Sequence, residues 1–436
     1  MTDKLSTDSY KGVRDFYPED MAVQRYIFDT WSKTAESFGF ERYDASILEP
    51  SDLYKAKGAE NEELVNEQTY TFTDRGSREV TLRPEMTPTV ARMVAAKARE
   101  LAFPLRWYSI PNLFRYERPQ KGRLREHWQF NCDIFGADHF TADVEIIALA
   151  YQTMIDFGAK PGDFEIRINN RQLMTDFFAN RYGIVDPEII TQVNRTLDKR
   201  RKVTKAEFDG LLKEIVQDEY EKLRDELDLN VEEFVTLLNT ERNHSTLINV
   251  KNGLEQLEIK NVVFDASLAR GFDYYTGTIF EIFELDSEGK STGRSMLGGG
   301  RYDNLTGMFG GEPVSGIGFG MGDVTMRDFL ETHDLLPGHL KSTATQVVII
   351  PITAEENLYA EKVAHRIRQT GISVSTDIGT QKADKKKARA TDRGAKFITI
   401  VGEEEMKSET LTIKNIVSGE EKTAQLEEIL NFLTTE

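Results

Sequence analysis

The sequence predicts an α+β fold with three parts: a domain built on an antiparallel sheet, a helical insertion within that domain, and a smaller C-terminal α/β domain. Three observations predict it. Strand-like segments in the first 160 or so residues are joined by hairpins rather than by regular crossovers. Residues from about 170 to 257 show heptad-like apolar spacing and almost no glycine. Residues 346–436 alternate buried strands with amphipathic helices.

The elements before the insertion are predicted from periodicity and from turn residues. Residues 22–38 have one apolar face and end at Gly39, which indicates a helix. Residues 70–73 and 80–83 are predicted to form a hairpin. A second hairpin is predicted from 106–114 and 128–136, whose alternation and aromatic content suit a buried sheet. A helix is expected over residues 141–157, with Thr141 as its cap.

The helical insertion has two open interpretations. Its helices could clamp a partner, or they could serve as a spacer between the two halves of the domain. After it, strands are predicted at 262–265, 278–285 and 316–320, and Asp323 is expected to cap a helix over 324–332. We therefore expect a first domain over residues 1–335, a linker over 336–345 and a second domain over 346–436.

The second domain begins with a clear alternation of strands and helices. Strands are predicted at 347–352, 373–378 and 397–401, and these flank helices over 356–370 and 382–393. Such a pattern is typical of a small, mostly parallel sheet covered by helices.

Composition excludes several classes of protein. The formal net charge is −18, with 39% hydrophobic and 29% charged residues, and no apolar run approaches the roughly 20 residues that span a bilayer. The polar N-terminus does not resemble a signal peptide, so we expect a cytoplasmic location and no membrane partner. The single cysteine, Cys132, rules out an internal disulfide. His127 and His139 lack metal-ligand spacing, so we expect them to be structural or solvent-facing and predict no dedicated metal site.

The most informative local feature is a basic loop at residues 115–126, between the two strands of the second hairpin. It holds five cations and two anions in an otherwise acidic chain. Most such runs are solvated surface. Here a hairpin would hold the loop on a rigid base, which suits binding of phosphate groups.

Five segments resemble the class II aminoacyl-tRNA synthetases in the form of the histidyl-tRNA synthetases, in that family's order and approximate spacing over residues 11–430 or so. Residues 114–123 (FRYERPQKGR) resemble motif 2. The others are 12–16 (GVRDF), similar to motif 1 of the dimer interface, 83–88 (RPEMTP), 269–277 (ARGFDYYTG), similar to the histidine-binding signature, and 298–303 (GGGRYD). The resemblance implies a class II catalytic domain and a C-terminal anticodon-binding domain.

The resemblance also implies roles in activation of an amino acid by ATP. Arg115 would bridge the carboxylate and the α-phosphate, and Arg270 would supplement metal-based stabilisation, so both are predicted as catalytic. Glu117 and Arg123 join them in the predicted ATP site, where Mg²⁺ would bind mainly through the ATP phosphates. The resemblance further implies a set of histidine-binding residues, in which Glu85 binds the ammonium: Glu85, Thr87, Gln129, Asp133, Tyr274, Tyr275 and Tyr302.

Two groups of residues are predicted to bind tRNA-His. The resemblance places Arg118 and Gln120 at the acceptor end. The basic helix over 382–393 is a candidate for the anticodon stem, or simply a solvated face. Its predicted contacts are Lys385, Lys386, Lys387 and Arg389.

One segment departs from the family pattern. Motif 3 normally supplies an arginine that stacks on adenine, whereas residues 320–325 (GMGDVT) place Thr325 there, and Arg327 would point elsewhere on the helix. The resemblance favours a homodimeric histidine–tRNA ligase. The alternative is a non-catalytic paralogue such as the regulatory subunit of ATP phosphoribosyltransferase, which the altered motif 3 favours and the complete C-terminal domain disfavours.

Overall fold

The computed structural model describes residues 5–55, 68–119, 122–201, 203–238, 245–269, 274–338, 340 and 345–435. The chain divides into two compact units. The large unit comprises residues 1–15 and 26–336, and the small unit comprises residues 16–25 and 337–436. None of the helices in the described ranges is long and apolar enough to cross a membrane.

The large unit is built on an antiparallel-rich sheet, as the sequence predicts. Among the described residues its order is β1-β5-β7-β12-β11-β10-β8-β9, with β6 also paired to β7, and a separate sheet has the order β2-β4-β3. The strands are β1 (Glu41–Arg42), β2 (Leu48–Pro50), β3 (Tyr70–Thr73), β4 (Glu79–Leu82), β5 (Leu105–Ser109), β6 (Asn112–Phe114), β7 (Glu126–Phe135), β8 (Phe164–Asn170), β9 (Val262–Phe264), β10 (Thr278–Leu285), β11 (Ser291–Arg301) and β12 (Gly316–Gly322).

The central strands of the large sheet are all antiparallel. Every neighbouring pair from β5 to β8 runs antiparallel, and only the outer pairs β1–β5 and β8–β9 are parallel. The predicted strand over 106–114 is two strands, because the chain breaks at Ile110 and Pro111 before pairing again with β7. Proline has no N–H to donate to a ladder. This break starts β6 beside the basic loop.

Helices cover this sheet and form the insertion. The first four are α1 (Pro18–Ser37), α2 (Asp52–Lys55), α3 (Thr87–Lys97) and α4 (Thr141–Asp156). The insertion contains α5 (Arg171–Tyr182), α6 (Pro187–Leu197), α7 (Lys205–Val216), α8 (Tyr220–Glu226), α9 (Val231–Leu238) and α10 (Ser245–Gln256). Trp31 of α1 is fully buried and stacks on Phe130 of β7, with 5.4 Å between ring centroids. The predicted cap Thr141 is instead the first residue of α4, after Phe140.

Asp323 does not cap its helix. It is the first residue of α11 (Asp323–Thr332), is fully buried, and binds two other segments. Its carboxylate accepts hydrogen bonds from Arg14 at 2.7 Å and from the backbone N–H of Trp128 at 2.9 Å. A buried carboxylate needs a charged partner, so Asp323 joins the N-terminal segment to β7 and α11 instead of capping.

The small unit has a five-stranded sheet within its described residues, in the order β14-β13-β15-β16-β17. The pairs of β13 with β14 and β15 are parallel, as predicted, while β16 and β17 extend the sheet antiparallel. The strands are β13 (Val347–Pro351), β14 (Val374–Thr376), β15 (Phe397–Val401), β16 (Thr410–Asn415) and β17 (Glu421–Gln425). The helices are α12 (Asn357–Arg368), α13 (Ala383–Asp392), α14 (Glu403–Ser408) and α15 (Leu426–Thr435).

The basic helix α13 has one lysine that points inward. Lys386 is 4% exposed, and its ammonium donates to the carbonyls of Pro351 at 3.2 Å and Asp377 at 2.9 Å. These carbonyls lie at the carboxyl ends of β13 and β14, so the lysine joins two parallel strands. Lys386 was predicted from the sequence to contact RNA. The structure corrects this prediction, because the ammonium is buried and bonded to carbonyl groups of the small unit.

We predict that Lys386→Glu destabilises the small unit, because it places a carboxylate next to two carbonyl oxygens. The free energy of opening of β13 and β15, measured by hydrogen exchange, should fall by about 3 kcal/mol or more. The exposed neighbour provides the control: Lys385→Glu should change that free energy by less than about 0.5 kcal/mol. Equal, small effects of both substitutions would contradict the structural role of Lys386.

Candidate active site

The centre of the large sheet carries a recess lined by glycine. In the register of β7 with β12, Asp133 lies opposite Gly318, Asn131 opposite Gly320 and Gln129 opposite Gly322. Side chains alternate along a strand, so Gln129 and Asp133 share one face of β7. A residue larger than glycine on β12 would fill the space that these side chains occupy.

The close approach can be measured by placing a Cβ atom on each glycine. On Gly318 that atom would overlap the Asp133 carboxylate and lie 2.6 Å from the Cys132 carbonyl oxygen. On Gly320 it would lie 2.7 Å from Cδ of Gln129, and on Gly300 it would lie 2.9 Å from Cδ1 of Tyr275. These glycines are therefore required by space. We call the set Gly300, Gly316, Gly318 and Gly320 the glycine floor.

A cavity of ≈ 1000 Å³ lies over this floor. Most of the site residues predicted from the sequence line it: Glu85, Thr87, Arg115, Glu117, Arg123, Gln129, Tyr274, Tyr275 and Tyr302. Asp133 does not line the cavity directly. It lies beneath Gly318, is 3% exposed, and accepts a hydrogen bond from the hydroxyl of Tyr302.

Two buried carboxyl groups lie close to the floor of the cavity: Glu85 lines it, and Asp133 lies against Gly318. Glu85 is 2% exposed and accepts a hydrogen bond from the Tyr274 hydroxyl at 3.1 Å. Burial raises the pKa of Glu85 to about 7, against the opposing effects of Arg115 and of the bond from Tyr274. Burial likewise raises the pKa of Asp133 to about 7, although the Tyr302 hydroxyl favours its ionised form. Each carboxyl therefore gains from a ligand that brings a positive charge or an N–H donor.

Three tyrosines surround these carboxyl groups. The ring centroid of Tyr274 lies 5.0 Å from that of Tyr275 and 5.8 Å from that of Tyr302, and both pairs of rings pack edge to face. Their rings form an apolar wall, and the hydroxyls of Tyr274 and Tyr302 serve the two carboxylates. The arrangement suits a flat, polar-edged ligand of imidazole size.

The basic loop brings cations to the cavity. Glu117, whose side chain is 12% exposed, lies between two arginines: Arg115 at 3.9 Å and Arg123 at 3.6 Å. Arg115 also donates from Nε to the carbonyl of Pro84 at 2.9 Å, which fixes its orientation. The basic loop thus presents two guanidinium groups to the cavity, as the loop composition predicts, and a carboxylate holds both.

The sequence analysis missed two lining residues on β7, His127 and Asn131. His127 is half-buried, and burial lowers its pKa to about 3, with a further lowering by Arg115 and Arg14. Both effects favour the neutral imidazole, and the side chain lines the cavity. The signal was available, because residues 127, 129, 131 and 133 alternate on one face of a single strand.

The insertion also contributes to the wall of the cavity, which no sequence signal indicated. The residues in question lie on α5, on α6 and just after α6: Arg171, Thr191, Asn194, Arg195, Asp198 and Lys199. The insertion is therefore more than a spacer. Heptad-like spacing predicts helices but does not say which face meets the sheet.

The altered motif 3 lies next to the basic loop. Val324 and Thr325 line the cavity, and the Thr325 hydroxyl donates to the carbonyl of Gly322 at 3.0 Å. Arg327 forms an ion pair with Glu331 at 2.9 Å on α11 and is not among the lining residues. It does not stand in for the missing arginine.

Several predicted site residues lie elsewhere or outside the described ranges. Arg118 is exposed and is not one of the residues that line the cavity. In the small unit Lys385 and Lys387 are exposed, and Arg389 forms an ion pair with Asp377. Arg270 and Gln120 fall in the ranges that the structure does not describe.

We predict that Gly318→Ala destabilises the large unit, because its Cβ cannot coexist with the Asp133 carboxylate. The free energy of unfolding should fall by about 1–3 kcal/mol. Gly298→Ala on β11 is the matched control, since its Cβ would lie 3.5 Å from Cγ of Glu281, in ordinary contact. Equal stability of the two variants in denaturant titrations would show that the recess does not depend on the missing Cβ.

Comparisons with known proteins agree with this geometry. Residues 12–323 match the family model described as histidyl-tRNA synthetase, and residues 346–436 match that of an anticodon binding domain. The chain is 42% identical to a histidine–tRNA ligase of Leptospira biflexa, covering 99% of this chain and 98% of the relative. It is 36% identical to one of Thermoplasma volcanium, covering 98% and 99%.

A solved structure supports the same fold. The crystal structure of histidyl-tRNA synthetase from Nostoc sp. PCC 7120 superposes with a TM-score of 0.79 at 24% identity, covering 99% of this chain and all of that one. The chain belongs to the histidyl-tRNA synthetase family.

Proposed function

We propose that this protein is a histidine–tRNA ligase, which activates L-histidine with ATP to histidyl-adenylate and transfers the histidyl group to the 3′-terminal adenosine of tRNA-His. One observation carries the proposal: a single cavity is lined by the buried carboxyl of Glu85 and by two arginines of the basic loop, and the buried carboxyl of Asp133 lies against its glycine floor. Similarity to the histidine–tRNA ligases of Leptospira biflexa and Thermoplasma volcanium extends over nearly the whole chain.

Activation brings a carboxylate to the α-phosphate of ATP, so two anions must approach each other. Arg115 is positioned by Pro84 and Glu117 and would stabilise the charge that develops on phosphorus. Arg123 would contact the β- and γ-phosphates, with Mg²⁺ entering as part of the MgATP substrate. Arg270 would act beside Arg115. Loss of one such preorganised contact costs about 3 kcal/mol of transition-state stabilisation.

Histidine would lie over the glycine floor. Its ammonium would pair with ionised Glu85, helped by Thr87 and Gln129. Its imidazole would lie between the tyrosines, where Asp133 and the Tyr302 hydroxyl meet its ring nitrogens. A site built from paired polar groups rejects apolar amino acids strongly, because those leave its buried groups unpaired.

The remaining contacts concern tRNA and assembly. Arg118 and Gln120 would meet the acceptor end of tRNA-His. Lys385, Lys387 and Arg389 are the candidates for contact with the anticodon stem. Lys386 is not among them, because it is buried. We also propose a cytoplasmic homodimer, formed through the segment similar to motif 1.

The regulatory paralogue is the weaker alternative. A solved structure titled as an ATP phosphoribosyltransferase regulatory subunit/histidyl-tRNA synthetase shares the fold at 22% identity. This chain keeps Glu85 and Arg115 in the lining of its cavity, together with the second domain. Histidine-dependent exchange of ATP with pyrophosphate separates the two functions.

We predict that Arg115→Ala lowers the rate of histidine-dependent ATP–pyrophosphate exchange about a hundredfold. Arg75→Ala, in an exposed turn, is the matched control and should leave the rate unchanged. If the unsubstituted, folded protein gives no exchange, the ligase assignment is wrong. If Arg115→Ala exchanges at the normal rate, the role of Arg115 is wrong.

We predict that histidine binding releases protons near neutral pH. Glu85 and Asp133 have pKa values of about 7 in the free protein, so each is half protonated at pH 7. An ammonium and a ring N–H favour the ionised forms, so binding at pH 7 should release about half a proton from each carboxyl. Because histidine binds the ionised carboxyls, its affinity should fall as the pH drops from 8 to 6.

Calorimetry in buffers of different ionisation enthalpy measures that release. It should disappear at pH 8.5, where both carboxyls are already ionised, and Glu85→Gln should reduce it at pH 7 by about half a proton. Proton uptake at pH 7, or a release that is unchanged at pH 8.5, would contradict the assigned roles.

A further inference from the structure

Arg125, at the base of the basic loop, joins segments that are distant along the chain. Its side chain does not point into the cavity. It instead lies between the ring of Tyr116, 4.1 Å from the guanidinium carbon, and the ring of Tyr10, 5.5 Å away. A guanidinium between two aromatic faces is attracted to both. Arg125 thereby brings the N-terminal segment against the loop.

Hydrogen bonds fix this contact more closely. Arg125 donates from Nη1 to the Tyr10 hydroxyl at 3.0 Å and to the carbonyl of Lys11 at 3.3 Å. Its backbone N–H donates to the carbonyl of Gly12 at 2.7 Å. Residues 10–12, which we call the N-terminal strap, are therefore held by both the side chain and the backbone of Arg125.

Gly12 marks the place where the strap crosses the loop. Its φ of +88° lies in the left-handed region, and a Cβ there would lie 2.8 Å from Cγ of Pro119 and 2.9 Å from Cδ of Arg125. Pro119 and Arg125 belong to the two arms of the basic loop. The strap thus passes close to both arms, at a position where a side chain would not fit.

The contact continues from Arg125 to the residues that face the cavity. Arg125 donates from Nε to the carbonyl of Glu117 at 3.2 Å, which fixes the backbone of Glu117. The Glu117 carboxylate in turn lies 3.9 Å from Arg115 and 3.6 Å from Arg123. A continuous series of contacts therefore leads from Tyr10 through Arg125 and Glu117 to the two cavity arginines.

We propose that the N-terminal strap positions the basic loop for binding of ATP, and that Tyr10 and Arg125 are positioning residues that set the affinity for ATP. The inference rests on the proposed function. Without the strap, the loop would lose the contacts of Arg125 with residues 10–12 and would keep those of Tyr116 with Gln68 and of Arg115 with Pro84. The protein would then have to order Glu117 and its arginines when the nucleotide binds, which weakens binding.

Tyr10→Ala tests the proposal. It removes one ring and one hydrogen bond from Arg125 but no group that lines the cavity. The KM for ATP in histidine-dependent pyrophosphate exchange should rise about three- to tenfold, while the Kd for histidine, measured without ATP, should not change. Tyr10→Phe keeps the ring and loses the hydroxyl, so its KM should lie between those of the unsubstituted protein and Tyr10→Ala.

Tyr17→Ala is the matched control, because Tyr17 is 71% exposed in the same part of the sequence; its KM for ATP should be unchanged. Limited trypsin digestion adds a readout of the loop itself, since Tyr10→Ala should speed cleavage after Arg123 without lowering the thermal midpoint. Faster cleavage together with a raised KM for ATP supports the strap.

Two results would overturn the proposal. One is an unchanged KM for ATP in Tyr10→Ala; the other is a parallel rise in the KM for ATP and the Kd for histidine with a lower thermal midpoint, which indicates a general structural role. Absence of exchange in the unsubstituted protein would refute the proposed function instead. The two failures are therefore distinguishable.

Discussion

The structure of the site depends on a steric constraint: the sheet has no Cβ atoms where its central strands meet the side chains of β7. Gly318 lies directly opposite Asp133, Gly320 lies diagonally across from Gln129, and neither glycine leaves room for a methyl group. The recess in the sheet is therefore made by the backbone, and the basic loop and the insertion complete the wall of the cavity above it. Its floor lies in the middle of an antiparallel sheet, where the ladder holds each residue in register.

Charged groups of both signs lie in and beside the cavity over this recess. Glu85 and Asp133 lie in a buried region, where loss of solvent raises their pKa. The loop between β6 and β7 brings two arginines to the same cavity, held by Glu117. A ligand that carries both an ammonium and a carboxylate would find a partner of opposite charge for each. The net charge of −18 does not oppose that, because the cations are local.

Much of the fold could be predicted because its signals are local. The turn between residues 73 and 80 predicted the hairpin of β3 and β4 with nearly correct bounds, and short apolar runs predicted the buried strands β13 and β15. Strand β11 was not predicted as a whole, because its glycines lower its strand propensity. They are there to leave space for neighbouring side chains, which a single sequence does not reveal.

The site was predicted less completely, for reasons that are tertiary. Motif resemblance gave the residues of the cavity floor and of the loop, whereas His127 and the wall formed by α6 depend on which face of an element meets the sheet. Lys386 and Asp323 were misassigned for one reason: a charged side chain is expected at the surface or at a helix end, and each is instead buried with partners from other segments.

The most direct test is a crystal structure of the protein with L-histidine and a non-hydrolysable ATP analogue. The account predicts that the imidazole lies over Gly318, that the ammonium is within hydrogen-bond distance of Glu85, and that the α-phosphate contacts Arg115. Histidine bound away from the glycine floor, or a nucleotide whose α-phosphate does not reach Arg115, would contradict it.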